Sequence, residues 1–203
     1  MKTVDFYYSI GSRYSYLAST QIGTLKQDFH CQVLWHPVNS VTLIEKSGIS
    51  PFKGKAASGQ YEWTYRELDA QRWAELYDVP YREPRGRVKF NSELLARACT
   101  AAKHWGKVEE YSHLLFKAMF EDVLFQIDEP ECVVRAEACG IPPNDFQNQL
   151  HATETKSQLN ATIDLALDSG VFGVPTFIVS GELFWGNDRI VLLRHYLRTM
   201  VNK

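Results

Sequence analysis

The strand signals of this chain lie only at its two ends, and that placement limits what it can fold into. Thr3-Val-Asp-Phe-Tyr-Tyr8 is rich in β-branched and aromatic residues and predicts a first strand. Gln32-Val-Leu-Trp-His36 predicts a second, which Pro37 ends. After Gly170, Thr176-Phe-Ile-Val179 and Glu182-Leu-Phe-Trp185 predict two more, joined across Ser180-Gly181 by a tight hairpin turn. Between these ends, from Val41 to about Asp168, helical periodicity dominates, with 82–89 and 121–128 as loops.

The helical signals have recognisable ends. The spacing predicts helices over about Tyr14 to Gln27, Gln60 to Leu76, Ser92 to His104, Lys107 to Glu121, Glu129 to Ala138, Asp145 to Leu150, Glu154 to Ser169 and Arg189 to Met200. Ser12, Ser92, Asn144 and either Asp188 or Asn187 are the expected N-caps, because their side chains can accept a free backbone N–H. A strand–helix–strand opening calls for a right-handed crossover between parallel strands. The order is therefore β-α-β, a block of helices, then β-β-α. It predicts an α/β chain with a thioredoxin-like fold and a large all-helical insertion, in the DsbA-like manner. Residues 1–40 and 170–203 would form the thioredoxin-like domain and 41–169 the inserted helical domain.

Two short motifs carry chemistry. Gly173-Val-Pro-Thr176 enters the third strand through Val174-Pro175, expected to be a cis peptide because such bonds are retained for geometry. The Val174 main chain is then placed to pair with an extended peptide. Ser12-Arg-Tyr-Ser15 follows the first strand and puts serines where a redox pair of cysteines would stand. Cys31, Cys99, Cys132 and Cys139 form no CxxC, and no histidine lies at zinc-ligand spacing from two of them. Four reduced, buried thiols and no metal are expected. A site that holds a peptide but lacks CxxC should bind a thiol rather than make a disulfide.

Bulk properties narrow the partners. A net charge of -2 and a pI near 6.3 argue against nucleic acid held through phosphates. No stretch approaches the roughly 18 apolar residues of a membrane span, and Met1-Lys-Thr-Val-Asp-Phe6 has no apolar signal core. The cytoplasm is the expected compartment.

Val4-Asp-Phe-Tyr-Tyr-Ser-Ile-Gly-Ser-Arg-Tyr-Ser-Tyr-Leu-Ala18 resembles the start of the 2-hydroxychromene-2-carboxylate isomerases and kappa-class glutathione transferases. Val171-Phe-Gly-Val-Pro-Thr-Phe-Ile-Val179, followed by Glu182-Leu-Phe-Trp-Gly-Asn-Asp-Arg189, is similar to the C-terminal signature of that family. Leu68-Asp-Ala-Gln-Arg-Trp-Ala74, Val79-Pro80 and Phe90-Asn-Ser-Glu-Leu-Leu-Ala-Arg97 resemble its helical domain. The resemblance implies a glutathione-dependent enzyme and a homodimer. It also implies that Ser12 faces the glutathione sulfur, Val174 pairs with the cysteinyl backbone, and Trp185, Gly186, Asn187 and Asp188 bind the γ-glutamyl end. Three positions depart from the family pattern, one of them Ile49, where asparagine is common. Arg13 stands where proline is usual, and Ser9 where aspartate is usual.

Physical chemistry gives these positions work. Glutathione's thiol is mostly protonated at neutral pH and a poor nucleophile in that form. A serine hydroxyl at a helix N-terminus can donate to a thiolate where the helix dipole favours an anion. Arg13 can pair with a carboxylate of substrate or of glutathione. Lys53 and Lys55 are alternative cations for an acidic substrate, since Lys46 is out of the family lysine's register, and Asn91 is a further candidate wall residue. Tyr61, Trp63, Tyr65 and Trp73 fall on helix faces and are expected mostly in packing, with one or two free to line an aromatic pocket. The leading expectation is a glutathione-dependent cis-trans isomerase acting on a small aromatic α-keto acid. A kappa-class transferase or peroxidase, a disulfide oxidoreductase, and a non-catalytic peptide-binding module are the alternatives.

Overall fold

In the computed structural model, residues 2–48, 59 and 62–201 are described. The elements run β1 (Thr3–Tyr8), α1 (Arg13–Thr20), α2 (Ile22–Phe29), β2 (Gln32–Pro37), α3 (Ser40–Ser47) and α4 (Trp63–Tyr77). They continue with β3 (Lys89–Phe90), α5 (Ser92–Ala102), α6 (Val108–Phe120), β4 (Gln126–Ile127), α7 (Glu129–Ala138), α8 (Pro143–His151) and α9 (Thr153–Asp168). The chain closes with β5 (Thr176–Val179), β6 (Glu182–Trp185) and α10 (Ile190–Val201).

The terminal strands form one sheet in the order β2-β1-β5-β6. β1 and β2 are parallel, Thr3 opposite Gln32 and Tyr8 opposite Pro37. β5 is antiparallel to β1, with Tyr7 opposite Thr176, and β6 antiparallel to β5. The predicted crossover and the hairpin are both present. The hairpin turns through Ser180 and Gly181, each at positive φ.

β1 is interior to the sheet and buried on both faces, as its near-continuous apolar run requires. Alternation divides its side chains. Val4, Phe6 and Tyr8 join a core with α2, α5, α6 and α10, while Tyr7 faces Val38, Leu43, Leu159, Ile163 and Val171. Phe6 is the hub of the first core, 4.9 Å from Phe177, 5.0 Å from Trp35 and 5.2 Å from Tyr8 between ring centroids. Burying one such ring stabilises by about 1.5–3 kcal/mol. Tyr8 Oη and Ser112 Oγ lie 2.5 Å apart. The Ser112 hydroxyl reaches Cys99 Sγ at 3.4 Å, tying the sheet to α5 and α6.

Several boundaries differ from the sequence expectation. The single helix expected from Tyr14 to Gln27 is two, α1 and α2, broken at Gln21. The Ser19 and Thr20 hydroxyls donate to the Tyr16 and Leu17 carbonyl oxygens, each at 2.7 Å, and compete with the helical main chain. β4 lies inside the 121–128 stretch expected as a loop and β3 begins at the end of the 82–89 one, and they form a parallel pair with Lys89 opposite Gln126. Two-residue strands are too short to show a period. The cap of α5 is Asn91 rather than Ser92; its Oδ1 accepts from the N–H groups of Glu93 at 2.9 Å and Leu94 at 3.0 Å. Asn144 caps nothing, because α8 begins one residue earlier with Pro143 in its first turn. Neither Asn187 nor Asp188 caps α10 directly. They lie in a 3₁₀ turn, Asn187–Arg189, that leads into it.

Candidate functional site

Ser12 caps α1. Its Oγ accepts the Ser15 N–H at 3.2 Å, and its own N–H donates to the Ser9 carbonyl oxygen at 3.0 Å. One lone pair is therefore committed while the hydroxyl proton remains available as a donor. The cap is half-buried. Phe90 lies across the preceding residue, so that a Cβ added at Gly11 would come within 2.8 Å of its ring. The insertion thus presses on the loop that presents Ser12.

The second half of the site comes from the other end of the chain. The Val174–Pro175 peptide is cis. Continuing the β1–β5 register by two residues brings Val174 level with Ser9, whose carbonyl receives the Ser12 N–H. Among the described residues, no partner engages the Val174 N–H or carbonyl. Thr176 Oγ1 donates to the Gly173 carbonyl oxygen at 2.7 Å and fixes the bend. The Trp185 indole lies against Gly173, where a Cβ would meet Nε1 at 2.8 Å, and its ring is 4.9 Å from that of Phe172. Trp185 remains 40% exposed, a wall rather than a core residue.

Gly186 has φ 113°, ψ 153°, a conformation left to glycine, and a Cβ there would lie 2.3 Å from Asp188 Oδ1. The Asp188 carboxylate is thereby folded back over the chain and accepts from Arg189 Nη1 at 2.8 Å. Asn187 is only 3% exposed, and its Nδ2 is buried without a hydrogen-bond partner. The Asn187 carbonyl accepts from the Tyr77 hydroxyl of α4 at 3.4 Å, and burial raises the Tyr77 pKa. The 187–189 turn packs against α1, which brings the Ser12 element and the C-terminal signature together.

Arg13 is not a solvated first-turn residue. It is 7% exposed and donates from Nη2 to Glu83 Oε1 at 3.0 Å, while Nη1 is buried without a partner. Glu83 also accepts from the Tyr81 hydroxyl at 2.7 Å and the Arg85 N–H at 3.0 Å. The guanidinium carbons of Arg13, Arg66 and Arg85 stand 5.3, 4.9 and 4.5 Å from the Trp63 ring centroid. Trp63, expected in packing, is 44% exposed. Burial first, and then the Arg13 charge, lowers the Arg66 pKa.

Asn91 sits beside Phe90, but its Oδ1 is spent on the α5 cap. Lys53, with Lys55, Tyr61 and the surrounding 49–58 segment, lies outside the described residues. Sequence reasoning missed Glu83, Arg66 and Arg85. The density of charge in Arg82-Glu-Pro-Arg-Gly-Arg87 was the available signal. Among the described residues no group of histidine, cysteine and carboxylate side chains could hold a metal ion. All four cysteines are free and buried, and burial pushes Cys99 up to about 11 and Cys132 up to about 12. No described helix is long and apolar enough to cross a membrane. An open cavity of about 400 Å³ lined in part by Lys103, His104, Gln149 and Gln158 shares no residue with this cluster.

The family model for the DSBA-like thioredoxin domain matches residues 3–198, nearly the whole chain. The chain belongs to the DSBA-like thioredoxin domain family. The DSBA-like assignment agrees with the sheet order and with the fold expected from the strand signals. Among curated relatives, the 2-hydroxychromene-2-carboxylate isomerase of Pseudomonas sp. (strain C18) is 25% identical over 95% of this chain and 88% of its own. That of Pseudomonas putida is 25% identical over 94% and 91%. A solved 2-hydroxychromene-2-carboxylate isomerase (HCCA isomerase) superposes with TM-score 0.82 at 23% identity, covering 98% of this chain and 96% of that one. Within the DSBA-like family this chain is thus similar along its length to proteins named as isomerases, and neither its α1 nor the Ser12 cap of that helix contains a cysteine.

Proposed function

We propose that this protein is a glutathione-dependent isomerase of the 2-hydroxychromene-2-carboxylate type, acting on a small aromatic α-keto acid. The observation that carries the reading is the state of Ser12. Its hydroxyl is a free donor at the helix N-terminus that follows β1, Val174 leads into the strand paired with β1 with its main chain unengaged among the described residues, and no cysteine stands at that helix. The relatives named as isomerases support the same reaction class.

The residues fit a γ-glutamyl tripeptide. The Val174 N–H and carbonyl are a ready strand edge for its central peptide. Asn187 Nδ2 is a buried donor in need of an acceptor, which a carboxylate would supply. Asp188 can take an ammonium group in place of, or together with, Arg189. Trp185 walls the groove.

Glutathione, when bound, supplies a sulfur that adds reversibly to the conjugated double bond of the keto acid. Ser12 holds that sulfur ionised: its O–H donates to the anion, and the α1 N-terminus adds the favourable end of its dipole. Neither contribution moves a proton to Ser12 or makes it a nucleophile. The four free, buried thiols accord with a reducing compartment, so we place the protein in the cytoplasm. A homodimer is proposed on the family resemblance alone.

Ser12→Ala tests this. With glutathione and 2-hydroxychromene-2-carboxylate, kcat/KM is expected to fall about 10²-fold, the effect of removing one donor from a developing anion. Loss of the cap should cost only about 1 kcal/mol of stability in a urea melt. Isomerisation at the wild-type rate would overturn the assignment. Consumption of glutathione in step with product would instead mark a transferase.

A further inference from the structure

We propose that Arg13, Arg66 and Arg85, gathered on Trp63, form a subsite for the carboxylate of an aromatic acid beside Ser12. It rests on the isomerase reading only for the choice of that acid.

The argument begins with an unpaired buried donor. Arg13 is more than nine-tenths buried, and its Nη2 donates to Glu83. Nη1 is enclosed without a partner. A guanidinium offers five N–H donors in a fixed fork, and buried donors are nearly always satisfied. Glu83 Oε1 already accepts from both Arg13 Nη2 and the Arg85 N–H, and Oε2 accepts from the Tyr81 hydroxyl, so three donors hold the carboxylate in its present place.

The second observation is the charge around Trp63. Three guanidinia lie within 5.3 Å of one indole centroid. Besides burial, repulsion between Arg13 and Arg66 lowers the Arg66 pKa, while Tyr14 and the Glu83 carboxylate act the other way. An anion placed among them would relieve that repulsion and accept from Nη1. A carboxylate matches the fork with two parallel bonds. Trp63 itself is 44% exposed, which leaves part of the indole for an aromatic ring to stack on.

The third is position. Arg13 is the first residue of the helix that Ser12 caps, so the anion would be held from the same helix N-terminus that presents the Ser12 hydroxyl. A substrate anchored there by its acid end is oriented toward the reacting centre.

A carboxylate can come from the keto acid or from the glycyl end of glutathione, and the test separates them. Phenylpyruvate serves as the aromatic α-keto acid and phenylpyruvamide as its uncharged counterpart. Binding is measured by calorimetry on the full chain without glutathione, followed by glutathione binding alone. Arg85→Gln and Arg13→Gln are each expected to weaken phenylpyruvate at least tenfold, with the amide and glutathione changed less than twofold. Loss of glutathione binding with phenylpyruvate unaffected would overturn the proposal, because the arginines would then hold the tripeptide's carboxylate and not the aromatic acid's. Unchanged binding of both acids in either variant overturns the proposal. Arg85 is exposed, so Arg85→Gln still decides the matter if removing the buried Arg13 prevents folding. Because phenylpyruvate is tested without cofactor, failure here is distinct from failure of Ser12→Ala to affect turnover.

Discussion

Asn187 carries a buried side-chain donor with no acceptor among the described residues. A buried amide nitrogen with no acceptor costs about 1–3 kcal/mol, the desolvation of an unsatisfied group. Replacing it with an apolar side chain of similar length removes that cost from the empty protein and removes a donor from the filled one. Asn187→Leu is therefore expected to change unfolding free energy by no more than about 1 kcal/mol in urea, while glutathione affinity measured by calorimetry falls about tenfold. Parallel losses in both would mean that the amide is structural. Much of this site could be read from the sequence. Ser12, Val174, Pro175, Trp185 and the Gly186–Asp188 run sit in two local motifs, and the topology that unites them follows from the strand order. The Arg13–Glu83 pair could not be read that way. It joins residues seventy positions apart, and no local pattern records such a contact. The Arg189 hold on Asp188 was invisible for a different reason, since it depends on the backbone turn that only Gly186 permits.

At the scale of elements, strands and helices with a full period were legible, and short or competing ones were not. β1, β2, β5 and β6 fall where alternation and turn chemistry put them. The α1–α2 break depends on hydroxyls that choose the main chain, and β3 with β4 on pairing between distant loops. One element contact has a measurable consequence. Trp35 of β2 has the ring of His113 from α6 at 5.1 Å, and the neighbouring His36 pairs with Asp5 at 2.8 Å. Both histidines have pKa values lowered from 6.5, and burial is the largest cause for each. For His36 burial outweighs the Asp5 carboxylate, which pulls the other way. A depressed folded pKa means that the unfolded chain binds more protons below about 6.5. Their contribution to stability is therefore full above that pH and is lost as pH falls through the lowered folded values. Urea melts at pH 7.5 and pH 5 are expected to show a smaller acid loss in a His36→Gln, His113→Gln double variant than in the wild type. An equal or larger loss in the variant would assign the acid sensitivity to other groups.

For the whole molecule, the site is a junction. α1 and the 187–189 turn come from the ends of the chain, while Tyr77, Glu83, Arg85 and Phe90 come from the stretch between them. A ligand that spans Val174 and Asn187 therefore touches the sheet, the C-terminal signature and, through Tyr77, α4. Anything that binds the folded chain and not the unfolded one stabilises it by mass action, and at 100 times Kd the gain is about 2.7 kcal/mol. For a chain of this length each kcal/mol raises Tm by about 2–4 °C, so glutathione at that excess should raise it by about 5–10 °C. Phenylpyruvate added to the glutathione-saturated protein should raise it again, since its proposed cations share no atom with the tripeptide's proposed partners. Two successive upward shifts in differential scanning calorimetry are the expected result. A chain that melts at one temperature with and without ten-millimolar glutathione does not bind the tripeptide as a cofactor. A phenylpyruvate shift that vanishes once glutathione is present would mean that both acids compete for the same arginines.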